Sequence, residues 1–309
     1  MRFCLWAVIL CIATVPLAAQ EGTSSTTIRV NVHLVNLFVN VTDAHGAVVG
    51  GLQKEDFSLT EDHVPQKIAV FERQSEMPLA ILLAIDTSGS VHKDLPLEQK
   101  AARHFAHALM RPVDQMGLIE FSSDVREVVP FTNQVGRIDR GLENLRMGPA
   151  TALYDAVYLS AQNLMGRSGR KVLVLISDGG NTVNGVDYAK ALEQALRSEV
   201  MVYSIIDVPI AASAGRDLGG EHAMITLSEE TGGKYYYAEG MDMEKAFDQI
   251  SDDLRTQYLL GYYPVHRVAD GAFRRVEVSV KAPEGTGYNV RHRTGYYTTN
   301  PRETQSLPR

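Results

Sequence analysis

The apolar positions fall into two textures. Through the middle of the chain, near-continuous apolar runs alternate with amphipathic stretches: Leu79 to Ile85, Gln115 to Phe121, Lys171 to Ser177, Met201 to Ile206 and a short edge run, Lys234 to Ala238. Runs without polar alternation predict strands buried on both faces, as in a parallel sheet covered by helices. Between them, Leu97, Ala101, Phe105, Ala108 and Leu109 recur at helical spacing, as do Leu153, Val157, Ser160 and Leu164, and Met243 to Leu254 predicts a closing helix. The texture from residue 77 to 255 is that of an α/β domain.

The flanks alternate with period two instead. Val30, Val32 and Leu34, then Leu37, Val39 and Val41 predict strand structure with a phase change near Asn36, followed by a turn at Asp43-Ala44-His45-Gly46. Asp56 to Leu59 and Lys67 to Phe71 predict short strands around a turn at Glu61-Asp62-His63. After Arg255 come Thr256 to Tyr263, Ala272 to Lys281 and Gly287 to Gly295, which read as a three-strand meander. Neither flank can cover its own apolar face. The expectation is therefore one small β-sandwich made of residues 26–76 and 256–298, with the α/β domain inserted between them and a polar, disordered tail at 299–309.

Residues 1–20, with Arg2, an apolar stretch from Phe3 to Leu17 and then Ala18-Ala19, have the layout of a secretory signal peptide. Both cysteines, Cys4 and Cys11, lie in that segment, so an exported chain would form no disulfide and would depend on packed cores. No later run reaches the roughly 20 residues of a membrane-spanning helix. The formal charge of -7 and the scattered Lys and Arg give no footprint for nucleic acid. Arg274-Arg275 and Arg291-His292-Arg293, the densest basic groups, read as solvated strand faces.

Candidate chemistry sits where the apolar runs stop. Leu79 to Ile85 ends in Asp86-Thr87-Ser88-Gly89-Ser90, the run before Asp178 ends in Ser177-Asp178-Gly179, and Thr151 opens a predicted helix. In open α/β sheets the carboxyl ends of the strands meet at the ligand crevice. One loop offering a carboxylate and two hydroxyls, joined by a second hydroxyl loop and a second carboxylate loop, is an all-oxygen donor set suited to a small hard cation, above all Mg²⁺.

These loops resemble the metal-ion-dependent adhesion site of von Willebrand factor A domains, which combines Asp-x-Ser-x-Ser, a Thr from a second loop and an Asp from a third. The order Val-Thr-Asp-x-x-Gly, Gly-Leu-x-x-x-Asp-Phe, Pro-Gln-x-Ile, Asp-x-Ser-x-Ser and a terminal Gly-Tyr-Tyr is similar to that of secreted bacterial proteins of this kind. The resemblance implies a Rossmann-like fold. Asp86, Ser88, Ser90 and Thr151 would hold Mg²⁺, with Mn²⁺ or Ca²⁺ as alternatives, directly or through water, and Asp178 would complete the shell through water. It also implies a protein partner that supplies a Glu or Asp to the open coordination position, in a periplasmic or extracellular setting. Those relatives usually carry Gly where this chain has His63, so a positive φ is expected there.

Enzyme readings find less support. The chain has no Gly-x-Ser-x-Gly elbow, no His-Glu-x-x-His and no phosphate-binding glycine loop. His104 and His107 read as an exposed helix face, the Gly pairs at 50–51, 179–180 and 219–220 as turns, and Tyr235-Tyr236-Tyr237 as strand preference. The loop from Pro209 to Gly220 reads equally as a recognition rim near the carboxyl edge of a strand and as a neutral linker. The sequence thus favours a binding module, with a structural envelope component as the alternative and a metal-dependent hydrolase behind both.

Overall fold

A computed structural model describes residues 34–73, 76–89, 95–207, 217–238, 242–266, 270–283 and 287–298. The expected signal segment, Ser90, most of the 209–220 loop and the 299–309 tail lie outside the described residues.

The amino-terminal flank supplies β1 (Val35–Thr42), β2 (Phe57–Glu61), β3 (Val64–Pro65) and β4 (Ile68–Glu72). The α/β unit follows as β5 (Leu79–Asp86), α1 (Leu95–Leu109), β6 (Gln115–Phe121), β7 (Val125–Thr132), α2 (Val135–Leu142), α3 (Leu153–Met165), β8 (Arg170–Ser177), α4 (Tyr188–Arg197), β9 (Val200–Ile206), α5 (Leu218–Thr231), β10 (Tyr235–Tyr237) and α6 (Asp242–Arg255). The carboxyl-terminal flank gives β11 (Tyr258–Tyr262), β12 (Phe273–Val280), β13 (Asn289–Arg291) and β14 (Gly295–Tyr297).

The central sheet has the order β10-β9-β8-β5-β6-β7, parallel except for the antiparallel β6–β7 pair. Every residue of β5 is buried, and its side chains divide by period two. Leu79, Ile81, Leu83 and Ile85 face one core with Phe105 of α1 and Phe247 of α6, whose rings lie 4.8 Å apart. Ala80, Leu82 and Ala84 face the other with Leu153 and Val157 of α3 and Met224 of α5. An unbroken apolar run is what two covered faces require. The stripe on α1 is rotated from the sequence reading: Leu97 is 38% exposed and Ala108 is exposed, while Ala102 and Ala106 are buried.

The flanks form two four-stranded antiparallel sheets, β13-β1-β11-β4 and β14-β12-β2-β3. Leu37, Val39, Leu260 and Tyr262 from one meet Phe57, Leu59, Val276 and Val278 from the other in a shared core. Asp62 and His63 form the two-residue β2–β3 turn with φ of +47° and +65°, so His63 does take the left-handed conformation expected of it. The meander is corrected. Consecutive strands β11 and β12 lie in opposite sheets, β11 between β1 and β4 and β12 between β2 and β14. The last expected strand breaks in two because the chain crosses between sheets at residues 292–294, where His292 Nε2 accepts the Val278 N–H at 3.1 Å.

Arg291 and Arg293 are corrected as well. Arg293 is 8% exposed and donates to Glu199 at 3.0 Å and to the Asn36 carbonyl at 2.9 Å. Arg291 pairs with Asp253, itself 6% exposed. These contacts anchor the sandwich to the amino-end base of the central sheet. Asn40 adds a bond from its Nδ2 to the Asp253 carbonyl at 3.0 Å and accepts from Gln257 at 3.0 Å. The two arginines turn inward, Arg293 buried and Arg291 half-buried, because their acidic partners come from α6 and the loop before β9.

Candidate functional site

The crevice sits at the carboxyl end of β5, where the chain leaves toward α1 and β6 on one side and β8 lies on the other. This is a topological switch point of the sheet. Register aligns the strand ends: Ile85 is opposite Ile176, so Asp86 and Ser177 emerge side by side, and the Asp207 N–H reaches the Ser177 carbonyl at 2.9 Å.

Asp86 is fully buried. Its Oδ1 accepts the Ser88 N–H at 2.8 Å, and its Oδ2 accepts the Ser177 hydroxyl at 2.7 Å. Burial pushes the Asp86 carboxyl up to about 6, the hydrogen bonds from Ser177 and Ser88 oppose this, and the nearby charge of Asp178 adds to it. Neither carboxylate forms an ion pair among the described residues.

The second loop is stitched to the first. The Gly148 N–H bonds the Thr87 carbonyl at 2.9 Å, and Ser88 bridges to Gly148 in parallel fashion. Thr151 is buried and held to the third loop, its N–H donating to Thr182 Oγ1 at 2.9 Å and its carbonyl accepting the Thr182 N–H at 2.9 Å. Asp178 Oδ1 accepts the Gly180 N–H at 3.0 Å. Gly180 sits against both loops: a Cβ there would lie 3.2 Å from Asp178 Oδ1 and 3.9 Å from Thr151 Oγ1. Asp86, Ser88, Thr151 and Asp178 are thereby brought to one crevice, and Ser90 lies outside the described residues.

The residues present fit a hard cation. A buried carboxylate beside a second one, with hydroxyls around them, is an arrangement that a divalent ion would stabilise. Among the described residues there is no cluster of three or more His, Cys, Asp or Glu side chains, so the donor set rests on two carboxylates plus hydroxyls. His107 instead pairs with Asp139 at 3.0 Å on the exposed side of α1.

Two features escaped the sequence reading. Ser177 orients Asp86, a role that follows from the register of β8 on β5, which sets the two side by side. The Gly pairs at 179–180 and 219–220 are more than turns: Gly219 and Gly220 lie in the first turn of α5, and a Cβ on Gly220 would come 1.6 Å from the Gly179 carbonyl oxygen. Gly179 has φ +92°. The α5 amino terminus, capped by Asp217 through a 3.0 Å bond to the Gly220 N–H, therefore rests directly on the Asp178 loop.

Residues 81–181 match the family model for the von Willebrand factor type A domain. A solved von Willebrand factor type A protein from Catenulispora acidiphila is similar over 84% of this chain and 78% of that chain, at 11% identity and a TM-score of 0.51. The fold is that of a von Willebrand factor A-like domain. An aerotolerance-related membrane protein from Bacteroides fragilis aligns over 57% of this chain and 98% of that one, at 20% identity and a TM-score of 0.46. The vWF domain of a type V pili tip protein from Porphyromonas gingivalis aligns over 57% and 94%, at 12% identity and 0.43. No curated protein matches the chain. In this von Willebrand factor A-like unit, the matched segment runs from β5 through β8 to the loop holding Asp178 and so spans four of the five candidate ligand positions within described residues.

Proposed function

We propose that the protein is an exported, non-enzymatic binding module whose crevice holds a divalent cation, most simply Mg²⁺, and through it captures a carboxylate of a partner protein. Asp86, Ser88, Ser90, Thr151 and Asp178 are the residues that would hold the ion. The observation that carries this reading is the pairing of fully buried Asp86 with Asp178 and hydroxyl groups at a sheet switch point, with no Lys, Arg or His paired to either carboxylate among the described residues.

When bound, the cation supplies a concentrated positive charge with a coordination position open to an anion. The chain's own residues do the rest. Ser177 and the Ser88 N–H hold the Asp86 carboxylate, the bonds of Gly148 to Thr87 and of Thr151 to Thr182 tie the second loop to the first and third, and Gly220 packs against the Gly179 carbonyl beside Asp178. In a partly desolvated crevice such a charge attracts an acidic side chain more strongly than an exposed Lys would. The apolar stretch at residues 3–17 supports export, and among the described residues no helix is long and apolar enough to cross a membrane.

The test is capture from envelope and secreted fractions with Mg²⁺, with excess chelator, and with Asp86→Ala. Recovery of one protein that requires both Mg²⁺ and Asp86 is the expected result. Metal binding without dependent capture would leave the cation a structural role, and turnover of a substrate lost in Asp86→Ala would replace binding with catalysis.

A further inference from the structure

A second charged site lies at the opposite end of the sheet. Arg170 opens β8 and is 4% exposed, yet it forms no ion pair among the described residues. Its Nη1 donates to two neutral acceptors, the Leu254 carbonyl and Gln257 Oε1, the latter at 3.2 Å. Its Nε is buried with no hydrogen-bond partner. The carboxyl end of α6, to which Leu254 belongs, offsets only about half a charge, and burying a guanidinium without a paired anion is costly.

Arg170 borders a cleft of about 350 Å³, lined also by Leu79, Ala108, Glu76, Arg111 and Arg255. Arg111 is already matched, donating to Asp114 at 2.9 Å and to Glu76 at 2.9 Å. Arg255 is not: its hydrogen bond runs to the Ala108 carbonyl, and no carboxylate pairs with it among the described residues. Around the cleft, three guanidinium groups thus stand against the two carboxylates of Glu76 and Asp114, both of them paired with Arg111, and one of the remaining guanidinium groups is buried. Burial and the neighbouring charge of Arg111 push Arg170 down to about 10, against the opposing charges of Asp114 and Glu76, which Arg111 already engages.

We propose that this cleft binds a small oxyanion, a carboxylate or a phosphate, between the guanidinium groups of Arg170 and Arg255. Guanidinium forks match the paired oxygens of either group, and the volume is at the lower end of small-molecule sites. The site is separate from the Asp86 crevice, so it stands or falls independently of the cation.

The test is calorimetric titration of the full chain, stripped on a chelating resin so that no cation at the other end can hold the probe. Inorganic phosphate and succinate are titrated separately, against sodium chloride at matched ionic strength. Saturable one-to-one binding of at least one probe is expected, weakened tenfold or more by Arg255→Ala and by Arg170→Lys, which keeps the charge but not the fork. Preference for phosphate or for succinate identifies the source of the oxyanion. Arg255 is exposed, so Arg255→Ala reports even if the Arg170 variant fails to fold. No saturable binding of either probe, or binding unchanged in Arg255→Ala, would overturn the proposal.

Discussion

Asp86 and Asp253 are both buried aspartates, at opposite ends of the same α/β unit, and they are treated differently. Asp253, at the base, is paired with Arg291 and surrounded by a hydrogen-bonded set that includes Asn40 and Gln257. Asp86, at the crevice, has two serine hydroxyls and an amide for company and a like charge beside it. Burying a charge is tolerable when its partner is buried with it and costly when it is not. The base is therefore a finished joint that holds the sandwich to the sheet, and the crevice carries the unmatched charge on which the proposed cation site rests. Matched charge thus marks where the fold is tied, and unmatched charge marks where a binding site is proposed.

The comparison breaks first at the base. Arg291→Ala leaves Asp253 buried and alone, and should lower the unfolding free energy by about 3–5 kcal/mol in urea titrations. A loss below about 1 kcal/mol would show that the pair is not what secures the junction. Next, Gly220→Ala forces a methyl into the Gly179 carbonyl and should cost about 1–3 kcal/mol by overpacking. It should also weaken divalent-ion binding, because the Asp178 loop must move.

At the crevice the sign should reverse. The folded-state carboxyl of Asp86 titrates at about 6, above its ordinary 3.8, so its ionised form opposes folding and the metal-free protein loses stability as pH rises through that interval. Asp86→Asn should therefore stabilise the metal-free protein by about 1–2 kcal/mol at pH 8, with the gain fading toward pH 4. A loss of stability at pH 8 would mean that the carboxylate is already compensated.

Weaker effects sharpen the contrast. His292 is held neutral: the Val278 N–H occupies Nε2, Nδ1 donates to the Arg293 carbonyl at 2.7 Å, and burial pushes the ring below its ordinary 6.5. Its contribution to stability is full above pH 6.5 and is lost as pH falls below that value, since the unfolded chain gains the proton first. His292→Gln should flatten that part of the pH–stability curve. The exposed pair Arg103–Glu143, at 3.0 Å, sets the floor, and Arg103→Ala should change stability by less than about 1 kcal/mol.

The buried strands and the loops at their ends were legible because both depend on local pattern. An unbroken apolar run such as Leu79 to Ile85 can only be covered on both faces, and a polar residue at its end marks the sheet edge. What was not legible depends on distant partners. β7, with Pro130 and a largely half-exposed pattern, carries too weak a periodicity to stand out beside β6. The split of β11 and β12 into opposite sheets is fixed by pairing with β1 and β2, some two hundred residues earlier in the chain. Arg291 and Arg293 read as solvated because the carboxylates that bury them, Asp253 and Glu199, are remote in sequence. At the crevice, the DxSxS loop, Thr151 and Asp178 announced themselves by residue type, while Ser177 and the Gly179–Gly220 contact became visible only through strand register and helix packing.

The central claim is that the crevice is completed by a cation. Mn²⁺ titration of the resin-stripped protein, followed by electron paramagnetic resonance of the free ion and displaced by Mg²⁺, measures this directly. The account predicts one saturable site per chain, abolished by Asp86→Ala and untouched by Arg255→Ala. Absence of saturable binding, or binding indifferent to Asp86, would contradict it.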